Sequence, residues 1–407
     1  MTLDQARALD AADPLAHCRD RFALPEGLIY LDGNSLGALP RAAPAAIADL
    51  VERQWGKDLI TSWNRNGWID APTTLGAMLA PLIGAAADEV LVCDSTSVNL
   101  FKLLAAGLAA LPGRRVILTE HDNFPTDLYI AQGVAQLMPG AELRTVERSE
   151  IMASLDDQVA VLMLTEVDYR SGERHDMAAL SAAARDVGAL SLWDLSHSAG
   201  AIDIRLNECG ADLAVGCGYK YLNGGPGAPA FLYAAAALQD RLQSPLTGWM
   251  GHDAPFAFVG DYRPAPGIAR FLAGTPPIIG MAALAAGLAT FNGVSMAAVE
   301  AKAASLTDFF IACVEARCPS LELASPRDAA KRGAHVSFRH PEAYAVMQAL
   351  IERGVIGDVR MPDLIRFGFA PLYNRHEDAF LAVTLLADIL DRNLWDDPRY
   401  LERAKVI

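Results

Sequence analysis

Basic side chains are in short supply: 34 lysines and arginines face 49 aspartates and glutamates, a formal charge of −15. A chain this acidic repels phosphodiester backbones and anionic lipid surfaces, so neither nucleic acid nor a membrane is an expected partner. Long apolar runs are missing as well; a membrane span needs ~20 residues of them. Met1 to Asp20 lacks the apolar core of an export signal. Cysteine is sparse and scattered: Cys18, Cys93, Cys209, Cys217, Cys313 and Cys318 contain no C-x-x-C pair. That argues against a zinc cluster and a disulfide framework and fits a reducing cytosol, so a cytoplasmic location and no metal are expected. Nucleotide-binding glycine motifs fail too. Gly216-x-Gly218 needs a third glycine at the position held by Tyr221, and no G-x-x-x-x-G-K-[ST] occurs.

What is present is a core-forming chain. Its 407 residues are 52% hydrophobic and 20% charged, which excludes disorder and allows a large buried interior. Short apolar runs alternate with helical patterns through the middle. Strands are expected at Glu89–Cys93, Arg115–Thr119, Val159–Thr165, Ala189–Trp193, Leu213–Gly216 and Pro229–Tyr233. Helices are expected at Ser97–Leu111, Pro125–Met138 and Met177–Val187. That alternation predicts βαβ units and a mainly parallel sheet, an α/β fold. From about Gly293 the pattern changes to a long helix ending near Cys318. Strand, helix, strand and helix follow at Ala334–Phe338, Tyr344–Arg353, Leu364–Phe367 and Glu377–Asp391, predicting a smaller α+β domain.

One segment stands out chemically. Lys220 leaves an apolar strand between Tyr219 and Tyr221 and enters the glycine-rich turn Asn223-Gly224-Gly225-Pro226-Gly227. Glycines let backbone approach a flat ring, and a desolvated lysine forms imines with carbonyl compounds. Upstream, Asp194 ends the strand Ala189–Trp193, where open α/β sheets place ligand-contacting groups. The pyridine nitrogen of pyridoxal 5′-phosphate needs such a carboxylate, although a strand-end aspartate also serves as a turn cap. His197 follows it, as a ring neighbour or a plain structural histidine. Ser95-Thr96-Ser97 opens a helix, which suits a phosphate and equally an ordinary cap. Phe124 and Asp127 flank Pro125 at another helix start, where they read as a stacking ring and a second carboxylate, or as a hydrophobic staple with a first-turn acid. Arg366 is a lone arginine in an apolar strand, suited to binding a carboxylate bidentately. Gly33-Asn34-Ser35-Leu36-Gly37 matches the G-x-S-x-G of serine hydrolases. Only about 30 residues precede Ser35, too few for the strands that such an elbow follows, and Pro40 and Pro44 disturb the next helix.

Together these segments resemble the kynureninases, a family of fold-type I pyridoxal 5′-phosphate enzymes. The resemblance runs through Asp32 to Gly37, Ser95 to Leu100, Phe124 to Asp127, Asp194 to Gly200, Tyr219 to Gly227, Gly248 to His252 and Arg366 to Asn374, in the family's order. Cysteine desulfurases share the layout but place a histidine before the lysine, where this chain has Tyr219. The resemblance implies a seven-stranded, mainly parallel sheet in a large domain at 46–290, with 1–45 and 291–407 forming a smaller one. It implies a homodimer with active sites at the subunit interface. It implies hydrolytic Cβ–Cγ cleavage of L-kynurenine to anthranilate and L-alanine, in tryptophan catabolism and on the route to NAD. By the same resemblance Lys220 carries the cofactor and removes the α-proton, Asp194 pairs with the ring nitrogen, and Tyr219 shuttles protons. Asp127 and His197 lie close by, Phe124 stacks on the ring, and Thr96, Ser97 and Tyr219 hold the phosphate. Trp249 and Thr275 reach the neighbouring subunit's cofactor. Arg366 binds the substrate carboxylate, with Asn34, Ser35 and Asn64 lining the pocket. Asn64 and Thr275 depart from the animal members, which favours kynurenine over 3-hydroxykynurenine.

Overall fold

The structure is a computed structural model that describes residues 1–400 and 402–403; residues 401 and 404–407 of the expected small domain lie outside it. Seven strands, numbered in chain order, make the central sheet: β1 Val90–Val92, β2 Val116–Glu120, β3 Glu142–Val146, β4 Val159–Thr165, β5 Leu190–Asp194, β6 Leu213–Gly216 and β7 Phe231–Ala234. Their order across the sheet is β1-β7-β6-β5-β4-β2-β3, with β7 antiparallel to both neighbours and the other pairs parallel. Strands β4, β5 and β6 are buried along their whole length, as expected where helices cover both faces of a sheet. The fold is therefore α/β with a mainly parallel seven-stranded sheet, as expected.

The apolar pattern misses β3, Glu-Leu-Arg-Thr-Val, because it is a half-exposed edge strand that keeps its charges. It also misses the helix Ile278–Ala289, whose apolar residues run almost without a polar face. The smaller sheet contains β8 Glu322–Leu323, β9 His335–Arg339, β10 Asp358–Arg360 and β11 Leu364–Gly368 in the antiparallel order β10-β11-β9-β8.

The helix Met296–Arg317 threads both apolar cores. Met296, Val299 and Ala303 pack into the core that contains Trp193, while Leu306, Phe310 and Val314 pack with Phe338, Phe367 and Phe369. The N-terminal helix Leu3–Ala11 docks on the helix His376–Asp391, where Asp10 accepts the backbone N–H groups of His376 (2.7 Å) and Glu377 (2.9 Å). The chain then pairs Ile29–Tyr30 with Val355–Ile356 in parallel and bridges Asp32 to Gly368, which lays the loop 33–37 along β11.

Candidate active site

The groups singled out in the sequence collect where parallel strands end. Asp194 closes β5, Thr165 closes β4, Phe124 follows β2, Ser95 follows β1, and Lys220 lies in the turn after β6. This carboxyl edge is the position at which open α/β sheets hold ligands. Gly37 fastens the loop 33–37 to the same turn: its N–H donates to the Tyr219 carbonyl at 2.8 Å, and a Cβ there would lie 2.3 Å from the Lys220 carbonyl.

Lys220 Nζ donates to His197 Nε2 at 2.9 Å, and lies 6.0 Å from the Phe124 ring centroid and 5.8 Å from that of Tyr219. Burial, reinforced by the Lys220 and Arg366 charges, holds the His197 imidazole well below its ordinary pKa. A neutral ring accepting at Nε2 carries its proton on Nδ1, and that buried atom has no protein partner. His335, also fully buried, lies against it with ring centroids 5.4 Å apart. Burial pushes the Tyr219 hydroxyl upward, aided by Cys217 and Asp194, so this phenol keeps its proton at neutral pH.

Asp127 and Asp194 are both buried. Burial first, then the charge and hydrogen bond of Asp194, push the Asp127 carboxyl well up. Two carboxyls in contact cannot both ionise cheaply, and Asp127 is the one pushed towards its protonated form. Thr165 Oγ1 lies 3.3 Å from Asp127, and neither carboxylate has an ion-pair partner among the described residues. Thr96 and Ser97 are the first two residues of the helix Thr96–Ala110, and Ser95 caps it by accepting the Val98 N–H at 3.3 Å. Asp94, at φ +50°, is tied down by the fully buried Lys102, whose Nζ donates to Asp94 (2.7 Å) and to the Phe271 carbonyl (2.8 Å). The sequence signal for Lys102 is a single charge inside an apolar helix.

These residues fit pyridoxal 5′-phosphate. A flat ring linked to Lys220 has Phe124 to lie against, and a protonated pyridine nitrogen would complete the buried carboxylate pair. The free N–H groups at Thr96 and Ser97 suit a phosphate.

A second cluster is built around Arg366, which is fully buried in β11. Asp358 stands directly opposite it in the cross-strand register and takes Arg366 Nε at 2.7 Å on one oxygen and Nη2 on the other. Arg366 Nη1 donates to the Tyr169 carbonyl at 2.5 Å, and Nη2 also reaches Ser35 Oγ at 3.2 Å. Ser35 in turn donates to Asp358 at 2.8 Å, so its hydroxyl is engaged with a carboxylate. With its amide oriented to satisfy both groups, Asn34 accepts from Arg366 Nε and Nη2 at 3.0 Å. Tyr169 joins the two clusters, because its ring meets Phe124 edge-on at 5.1 Å. Asp358, Arg360 and Tyr169 join the cluster without standing out in the sequence; the alternation Asp358-Val359-Arg360 beside an apolar strand is the signal for the first two.

Burial and the neighbouring Asp358 carboxylate push Asp32 up to about 7. Burial would raise Asp358 as well, but the Arg366 charge overrides it and holds Asp358 low. Arg366, Arg360, Ser35, Tyr30, Tyr221 and Tyr373 also act on or respond to Asp32. A carboxyl raised in the folded state stabilises the fold at low pH, and that contribution is lost as pH climbs from about 4 through about 7. Urea unfolding at pH 5 and pH 8 is therefore expected to show a loss of stability that shrinks in Asp32→Asn; an identical loss in the variant would reject this assignment.

Three of the expected residues lie elsewhere. Trp249 and Thr275 are exposed on adjoining segments, joined by the Met250 N–H donating to the Ala273 carbonyl at 3.2 Å. Asn64 is exposed on the short helix Ser62–Arg65. No contact within the chain connects them to Lys220 among the described residues.

Comparison with known proteins decides the family. A model of the kynureninase C-terminal domain matches residues 299–386. The kynureninase of Burkholderia mallei is 53% identical over 413 residues, covering 100% of this chain and 99% of that protein. The kynureninase of Deinococcus radiodurans is 53% identical over 398 residues, covering 96% and 97%. This chain belongs to the kynureninase family. With the kynureninase family come pyridoxal 5′-phosphate as cofactor and hydrolysis of a carbon–carbon bond as reaction. The fold is shared more widely. A cysteine desulfurase from Thermococcus onnurineus superposes with a TM-score of 0.78 at 21% identity, covering 93% of this chain and 98% of that one. The Escherichia coli cysteine desulfurase CsdA gives 0.75 at 20% identity, covering 93% and 98%. Desulfurase chemistry needs a reactive thiolate. In this kynureninase-family chain burial pushes all six thiols up, away from one.

Proposed function

We propose that this enzyme hydrolyses the Cβ–Cγ bond of L-kynurenine, releasing anthranilate and L-alanine, with Lys220 as the cofactor-bearing lysine. The observation that carries this reading is the placement of Lys220: its amine lies 2.9 Å from a neutral, buried His197, under Phe124 and beside the Asp127–Asp194 pair. When bound, the cofactor supplies an electron sink for the α-carbon. Asp194, backed by Asp127, holds a proton at the ring nitrogen. Thr96, Ser97 and Tyr219 hold the phosphate. Lys220 takes the proton from the substrate α-carbon, and Tyr219, still protonated, gives and takes a proton nearby. Asn34, Ser35 and Arg366 form the carboxylate end of the pocket, and Asn64 belongs to its aromatic end.

Trp249 and Thr275 act in the active site of a second copy, which makes the enzyme a homodimer. Support comes from large apolar side chains left in solvent: Ile60 is 77% exposed and Phe258 79%, with Trp55, Leu59, Phe256 and Val259 near them in sequence. We further take 46–290 as the cofactor-binding domain and 1–45 with 291–407 as the smaller one. The six free cysteines suit the cytoplasm, and kinship with the kynureninases supports a place in tryptophan catabolism and in the supply of precursors to NAD. No helix among the described residues is long and apolar enough to cross a membrane.

Product analysis tests the reading. Purified enzyme with pyridoxal 5′-phosphate is expected to release fluorescent anthranilate and one equivalent of L-alanine from L-kynurenine, faster than it turns over 3-hydroxy-L-kynurenine. Release of sulfide from cysteine with no cleavage of either kynurenine would overturn it.

A further inference from the structure

The bidentate face of Arg366 is already occupied. A guanidinium carries five N–H groups. Here Nε–H and one Nη2–H go to Asp358, with the Asn34 amide oxygen sharing Nε and Nη2, the other Nη2–H goes to Ser35, and one Nη1–H to the Tyr169 carbonyl. One Nη1–H remains, on a side chain with no solvent exposure. A single donor cannot grip a carboxylate through both oxygens.

Arg360 has the donors that Arg366 lacks. Its side chain is 30% exposed, and Nη2 contacts the same Asp358 oxygen at 2.8 Å. Nη1 donates to the adjacent Val359 carbonyl at 2.9 Å. Its Nε–H, one Nη1–H and one Nη2–H have no protein partner among the described residues. Arg360 also lies near enough for its charge to act on His197, which holds Lys220. The charges alternate around this point: Arg360 and Arg366 share Asp358, with Asp32 beside them. An anion placed between the two guanidiniums on the side away from Asp358 would continue that alternation.

We propose that the substrate α-carboxylate is gripped by Arg360 together with the remaining N–H of Arg366, in a two-guanidinium cradle whose spacing Asp358 sets. This rests on the amino-acid cleavage described above and names the residue that makes its carboxylate contact. Arg360 is a binding residue, and Asp358 is a positioning residue.

The test uses the full-length enzyme loaded with pyridoxal 5′-phosphate. L-Alanine and L-alaninamide, which lacks the carboxylate, are titrated against it and followed by cofactor absorbance. Arg360→Met is expected to weaken L-alanine by about tenfold to a hundredfold, the range for a charge-assisted contact, and to leave L-alaninamide unchanged. KM for L-kynurenine should rise by a similar factor while kcat moves little. Arg360→Lys keeps the charge and the contact with Asp358 but loses the fork. It should fall in between, and it carries the test if Arg360→Met does not fold. Either folded variant binding L-alanine as tightly as wild type, with full cofactor content, would overturn the proposal. Wild-type enzyme that cleaves no kynurenine would instead overturn the reading on which it rests.

Discussion

Lys220→Ala is expected to lose turnover by at least about a thousandfold, because in the proposed mechanism one side chain both carries the cofactor and moves the α-proton, and a positioned acid–base group alone contributes about 10²–10⁴-fold. Geometry makes the loss hard to compensate. The neighbouring bases are unsuited: His197 is buried behind Lys220 and Tyr219 holds its proton. Borohydride reduction followed by peptide mass spectrometry checks the assignment separately from activity. Wild type should show the cofactor mass on the peptide containing Lys220, and the variant should show none. A cofactor adduct on another lysine of the wild-type protein would reject Lys220.

Asp358→Ala is expected to destabilise the fold by about 3–5 kcal/mol, the range for removing one partner of a buried ion pair. Asp358 is 3% exposed and Arg366 is fully buried, so solvent cannot take over the lost interactions. The substitution strands Arg366 and deprives Arg360 of its partner at once. Exposed pairs such as Arg392–Asp388 are worth ~0.3–0.5 kcal/mol by comparison. Urea unfolding of the two proteins measures the difference; a loss below about 1 kcal/mol would show that the cluster does little for stability.

How far the molecule could be read in advance depended on whether a residue's role is local. Strands β4, β5 and β6 are buried throughout and mostly apolar because both faces are covered, so their short apolar runs mark them. The edge strand β3 keeps Glu142 in solvent and Arg144 half-buried against Asp156, and gives no such signal. Lys220 and Asp194 stand out because each ends an apolar run next to unusual neighbours. Asp358 and Arg360 do not, because their meaning comes from pairing across β10 and β11 with a residue that is itself ambiguous in sequence. Arg366 looked free to hold a ligand with its whole fork; only the folded chain shows that Asp358 holds it. His335 follows the same rule, since its partner His197 is more than a hundred residues away in the chain.

The cross-strand placement of Asp358 against Arg366 also bears on assembly. Side chains alternate faces along a strand, so a slip of one residue between β10 and β11 would set Arg366 against Val359 or Gly357 and leave the guanidinium inside with no anion. Apolar residues alone would penalise that slip weakly, because Val359, Leu364, Ile365 and Phe367 are interchangeable by comparison. The charge pair therefore works as a key for strand register. A chain that closes its small sheet correctly has, in the same event, built the cluster proposed to take the substrate carboxylate, so folding and the readiness of that site are set by one pairing.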